Sequence, residues 1–122
     1  MSRTDFLDQL KKLGYEASLH TNDRFVIFDY TIDVGRLAGQ KIKMAFEVGD
    51  DFPLNPPGGP HISPQLIPLY PGQDMPHPKG AIHSSNLGQM WEYWSRPFQN
   101  WAQSDHSVRA YMAFIRRLFE DV

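Results

Sequence analysis

Nine of the ten prolines fall between Pro53 and Pro78, and that concentration constrains the chain more than any other feature. Each proline removes a backbone donor and fixes φ, so no helix and no central strand is expected across this span. Regular structure must be built before it and after it. The span is not a linker, because Leu54, Ile62, Leu66, Ile67, Leu69 and Tyr70 are apolar and a disordered Pro-rich segment would be poorer in such groups. It is expected as an ordered loop packed onto the body, with a short strand around His61–Ser63.

Upstream, the pattern has period two. Val26, Phe28, Tyr30, Ile32 and Val34 point one way while Asp29, Thr31 and Asp33 point the other; Ile42, Met44, Phe46 and Val48 then alternate with Lys41, Lys43 and Glu47. Two antiparallel strands follow from this, joined by a turn from Gly35 to Gly39. A weaker first strand spans Glu16 to Thr21, joined through Asn22 and Asp23. With His61–Ser63 as the fourth strand, the expectation is a meander packed on one face and wet on the other.

Helical spacing marks the two ends. Phe6, Leu7, Leu10 and Leu13 form one stripe, with Thr4 as a possible cap, Gly14 as a left-handed stop and Lys11 and Lys12 at the dipole's negative end. Val108, Tyr111, Met112, Ile115, Leu118, Phe119 and Val122 make the longer C-terminal stripe, capped by Asp105 or Ser107. The core expected from these faces is Phe28, Tyr30, Met44, Phe46, Ile115 and Phe119. Trp91, Tyr93, Trp94, Phe98 and Trp101 read as further core, since base stacking would need a basic groove and only Arg96 is close by.

At 122 residues the chain is expected to be a single α+β domain, 1–122. A net charge of −2 gives no general pull toward nucleic acid or an anionic membrane. There are no cysteines, which removes disulfides, thiolate metal sites and thiol nucleophiles together. The absence of an apolar leader or membrane-length run leads to the expectation of a cytoplasmic protein.

The stretch from Asp74 to Asn86 holds the candidate chemistry: His77, Lys79, His83, Ser84 and Ser85. A serine hydroxyl becomes nucleophilic when a base within hydrogen-bond reach takes its proton, and His83 adjoins Ser84 and lies one residue from Ser85. In an extended segment Ser85 would share a side with His83, and Ser84 would take the opposite side. The competing reading is that Ser84, Ser85 and Asn86 merely cap the next turn. Asp74, His77 and His83, with His61 or His106, match no strong metal spacing, so neither metal nor cofactor is expected. No Gly-x-Ser-x-Gly elbow is present, and Gly58-Gly59 between prolines reads as a turn without a Walker Lys-Ser/Thr.

Several short motifs, in order, resemble the ubiquitin-conjugating (E2-like, UBC) superfamily. Phe52-Pro53-Leu54-Asn55-Pro56-Pro57 is similar to its Tyr-Pro-x-x-Pro-Pro turn, His77-Pro78-Lys79 to its His-Pro-Asn, and Gly80-Ala81-Ile82-His83 to its Gly-x-Ile-Cys. Trp91 lies eight residues beyond the cysteine-equivalent position, and Trp94-Ser95-Arg96-Pro97 echoes the family's Trp-Ser-Pro. The resemblance implies a UBC-like fold, a four-stranded antiparallel meander flanked by N-terminal and C-terminal helices. It is closest to divergent bacterial E2-like proteins, which occur beside E1-like enzymes, ubiquitin-like modifiers and JAB-type peptidases.

The chain departs from the family where the chemistry lies. His83 stands in place of the catalytic cysteine and Lys79 in place of the asparagine that supports the oxyanion, and the His77-to-His83 interval is short. Thioester chemistry is therefore impossible here. Two functions remain open: a modifier carrier forming an oxyester on Ser84 or Ser85, with His83 as base and Lys79 or backbone amides at the oxyanion, or an inactive E2-variant-like module that binds a modifier or partner without a covalent bond.

Overall fold

The computed structural model describes residues 3–20, 24–64, 75–77, 80–85, 87–88, 90–95 and 98–120, with 75–77, 80–84 and 95 through their backbone. Leu66, Ile67, Leu69, Tyr70, Asp74, Lys79, Asn86, Arg96 and Val122, and the link at Asn22 and Asp23, lie outside the described residues.

Helix α1 (Arg3–Lys12) buries Phe6, Leu7 and Leu10. Thr4 lies inside it rather than capping it, while Gly14 has the left-handed φ of 99° expected of a stop. Strands β1 (Ala17–Leu19), β2 (Phe25–Thr31), β3 (Lys41–Glu47) and β4 (His61–Ser63) follow as the expected antiparallel meander. Strand β2 ends three residues earlier than its alternation suggested. Ile32 nevertheless keeps the ladder direction by donating to the Gln40 carbonyl at 3.0 Å.

The sheet does not stop at four strands. Strands β5 (Met75–His77), β6 (Gly80–Ser84) and β7 (Glu92–Ser95) form a second antiparallel meander, and β7 returns beside β4 to give the order β1-β2-β3-β4-β7-β6-β5. Two expectations are corrected by this. The Pro-rich span, expected as a loop after His61–Ser63, also forms strand at Met75–His77, and β4 is an interior strand despite its proline-rich setting. The physical reason is local: Pro60 and Pro64 bracket β4, so His61, Ile62 and Ser63 keep their N–H groups for pairing. Pro76 sits in β5, an edge strand whose outer side needs no donor.

Helix α2 (Val108–Glu120) lies with α1 on one face of the sheet. Ser107 caps it by accepting the Ala110 N–H at 3.1 Å, and Asp105 accepts from the Ser107 N–H in turn. The Gln9 side-chain oxygen accepts the Val108 N–H at 2.9 Å, tying the two helices together. All six expected core residues are buried in one cluster, with Phe6, Ile62, Trp94, Trp101 and Tyr111. At the far end of α2, a Cβ on Gly35 (φ 74°) would fall on the Phe119 carbonyl oxygen, so only glycine lets the β2–β3 turn close on the helix.

The other face of the sheet is not uniformly wet. Across the middle strands Ala45 and His61 are buried, although both face away from Met44 and Ile62 and hence away from the helices. Phe25 is buried on that side too. The Pro-rich span is anchored at its start, where the Trp101 indole donates to the Pro53 carbonyl at 3.0 Å and the Tyr111 hydroxyl to the Pro57 carbonyl at 3.4 Å. Leu54 does not pack onto the body as expected and stands 72% exposed. Among the described residues, no helix is long and apolar enough to cross a membrane.

Candidate functional site

The site begins with the shortest interior strand. In β4, His61 pairs with Ala45 on one side and Tyr93 on the other, while Ile62 pairs with Met44 and Glu92. Because side chains alternate, this register turns Ile62 into the helix-covered core and His61 to the opposite face. There the imidazole lies against the Tyr93 ring, with centroids 4.5 Å apart and planes tilted by 30°, and the Phe25 ring meets it edge-on at 5.0 Å. His61 is only 6% exposed.

Ser85 follows the end of β6. Its Oγ lies 2.7 Å from Nδ1 of His61 and also accepts the Leu87 N–H at 3.1 Å. Burial pushes the His61 pKa down to about 4, so the ring is neutral near pH 7. A neutral imidazole carries one lone pair and one N–H. In the tautomer protonated at Nε2, the serine hydroxyl can therefore donate to Nδ1 while one of its own lone pairs takes the Leu87 amide. This is the relation that activates a serine nucleophile.

The same burial makes stability pH-dependent. Above pH 6.5 His61 is neutral in both folded and unfolded chains. Between pH 6.5 and about 4 the unfolded chain takes up a proton that the folded one refuses, so stability falls as pH falls. The loss is up to about 1.4 kcal/mol per pH unit within that window and stops below it. Denaturant melts from pH 7 to pH 4 should show the parent losing stability faster than His61→Gln. Equal losses would mean that His61 is not held neutral by burial.

The described partner of Ser85 is His61, whereas His83, the partner that adjacency suggests, is described through its backbone alone. The register sets position 83 opposite Tyr93 and position 84 opposite Glu92. In extended β6, then, position 83 belongs to the His61 face and 84 to the other, 77, opposite Gly80, goes with 84, and Ser85, just past the strand, meets His61 through its hydroxyl. His61, Tyr93 and His83 occupy one row across β4, β7 and β6. The side chains of His77, His83 and Ser84 lie outside the described ones, as does Lys79 altogether. Ser85 is the described candidate, and its partner is a histidine 24 residues upstream that the sequence had raised only as a metal ligand.

Two other buried polar groups belong elsewhere. Glu92 is fully buried on the core face, where its carboxylate accepts the Trp94 indole N–H at 2.9 Å. His106 has a left-handed φ of 59° and stacks on Trp101 at 5.2 Å, and its Nε2 is buried without a hydrogen-bond partner. It borders a cleft of about 500 Å³ with Asp50, Asp51, Pro53 and Leu54. Among the described residues, no group of three or more His, Asp or Glu is arranged to hold a metal. The chain matches no known family model, no curated protein and no solved structure.

Proposed function

We propose that this chain is a cysteine-less E2-like protein that accepts a ubiquitin-like modifier from an E1-like partner as an oxyester on Ser85. The observation that carries the reading is the 2.7 Å approach of the Ser85 hydroxyl to a neutral imidazole nitrogen of His61. The motif resemblance supplies the substrate class, and an α+β body whose N-terminal and C-terminal helices pack on an antiparallel sheet is compatible with a UBC-like fold. In the step proposed, Ser85 Oγ attacks the thioester carbonyl joining the modifier's C-terminus to the partner. His61 Nδ1 takes the hydroxyl proton, the C–S bond breaks, and the departing thiolate collects that proton. One ester forms, one thioester is lost, and His61 returns to neutral. A JAB-type peptidase would fit the same pathway as the activity that removes the modifier.

The second reading, a binding module without covalent chemistry, is favoured by the Leu87 amide bond to Ser85 Oγ, which is also how a serine pins a turn. The adduct itself separates the two. Mixed with a cognate E1-like enzyme, modifier and ATP, the protein should gain a modifier adduct that survives reducing agent and is cleaved by hydroxylamine. Its rate of formation should stay nearly level from pH 8 to pH 5, because His61 keeps its lone pair down to about pH 4. No adduct with genuine partners leaves the binding module as the function.

A further inference from the structure

We propose that Tyr93 is a positioning residue, its ring holding the His61 imidazole in the one orientation that presents Nδ1 to Ser85, so that this hydrogen bond fixes the tautomer. The proposal deepens the carrier reading and rests on it for its functional meaning. Its geometry stands independently. Tyr93 is the direct cross-strand partner of His61, and the two rings overlap at 4.5 Å with a 30° tilt. Phe25, reaching in from β2, meets the imidazole at right angles with ring centroids 5.0 Å apart. An imidazole packed against aromatic rings of two different strands cannot turn about χ2 without displacing one of them, so its nitrogen stays aimed at Ser85.

The other end of Tyr93 is also held. A Cβ placed on Gly58 would lie 3.0 Å from the Tyr93 hydroxyl oxygen, closer than such contacts normally come. The phenol therefore reaches a site left open by the missing side chain of Gly58, and the ring is located between Gly58 and His61. Gly58 does not have a left-handed φ, so alanine there meets only the hydroxyl and no backbone strain. That makes Gly58 a means of pushing the tyrosine ring from behind without touching the histidine or the serine.

The proposal is tested with the full chain labelled with ¹⁵N-histidine, reading the His61 ring-nitrogen shifts by NMR across pH 3.5 to 8. The parent should show a single neutral tautomer titrating near pH 4. Tyr93→Phe keeps the ring and should reproduce that signature. Tyr93→Leu opens one face of the imidazole to water and should give averaged tautomers and a midpoint raised by about one unit or more toward the ordinary 6.5. Gly58→Ala should shift the ring signals in the parent and have no effect on them in Tyr93→Phe, where the clashing oxygen is gone. If Tyr93→Leu does not fold, this Gly58→Ala pair carries the test alone. Unchanged tautomer and titration in Tyr93→Leu, or a Gly58→Ala effect equal in both backgrounds, overturns the positioning role. The expected NMR changes in a protein that forms no modifier adduct would uphold the clamp and sink the carrier reading instead.

Discussion

Ser85→Ala alone should abolish the hydroxylamine-labile adduct, and Ser84→Ala should leave it in place. The two serines are neighbours in the chain, but position 84 is the last of β6 and pairs with Glu92, whereas Ser85 follows the strand and its hydroxyl meets His61. Removing the Ser85 hydroxyl deletes the attacking atom itself, so the expected loss is complete rather than partial. His61→Ala leaves the nucleophile and removes the base; adduct formation should slow by roughly 10² to 10⁴, the span for a positioned general base. Thermal melts of each variant separate loss of chemistry from loss of fold. An adduct that persists in Ser85→Ala and disappears in Ser84→Ala would move the nucleophile to the other face. Persistence in both would show that neither hydroxyl carries the modifier.

Phe46→Ala should be the most damaging single change to stability, costing about 3 to 5 kcal/mol. Phe46 is fully buried and touches three elements at once: it meets Phe6 of α1 edge-on at 5.6 Å, Phe28 of β2 at 5.5 Å and Tyr111 of α2 edge-on at 5.1 Å. Truncation would leave a cavity at the junction of both helices with the sheet, where no single element can move to fill it. Domains of this size hold roughly 5 to 15 kcal/mol in all, so a large share of the total is at stake. Urea titrations should show a midpoint well below that of the parent with the same slope. A loss under about 1 kcal/mol would mean that the three elements close over the gap, and that Phe46 is not the keystone its contacts suggest.

Much of the scaffold was determined by the sequence alone. The alternation through β2 and β3 and the stripe of α2 each extend over many residues, so their phase is unambiguous, and the six core residues read from those phases share one cluster. Gly14 declared its role by residue type, since a left-handed stop is a local demand, and the α2 cap was narrowed to Asp105 or Ser107, of which Ser107 accepts the Ala110 N–H. Elements of three to five residues carried no such phase. Strand β4 is too short to show which of His61 and Ile62 turns inward, and Pro76 argued against the strand that β5 forms at an edge.

The site divides in the same way. Ser85 was marked by its company of histidines, serines and lysine in one short stretch. Adjacency in the chain then offered His83 as its partner, because sequence reveals only neighbours along the backbone. What pairs Ser85 with His61 is the return of β7 beside β4, which sets a residue of the Pro-rich span beside the end of β6. The low pKa of His61 likewise follows from Tyr93, Phe25 and the strands that bury it, none of them its sequence neighbours. Local patterns are enough to determine strands and helices, because those depend on residues within a turn or two. The reactivity of a serine depends on which side chain lies within 3 Å of it, and only the order of strands in the sheet decided that.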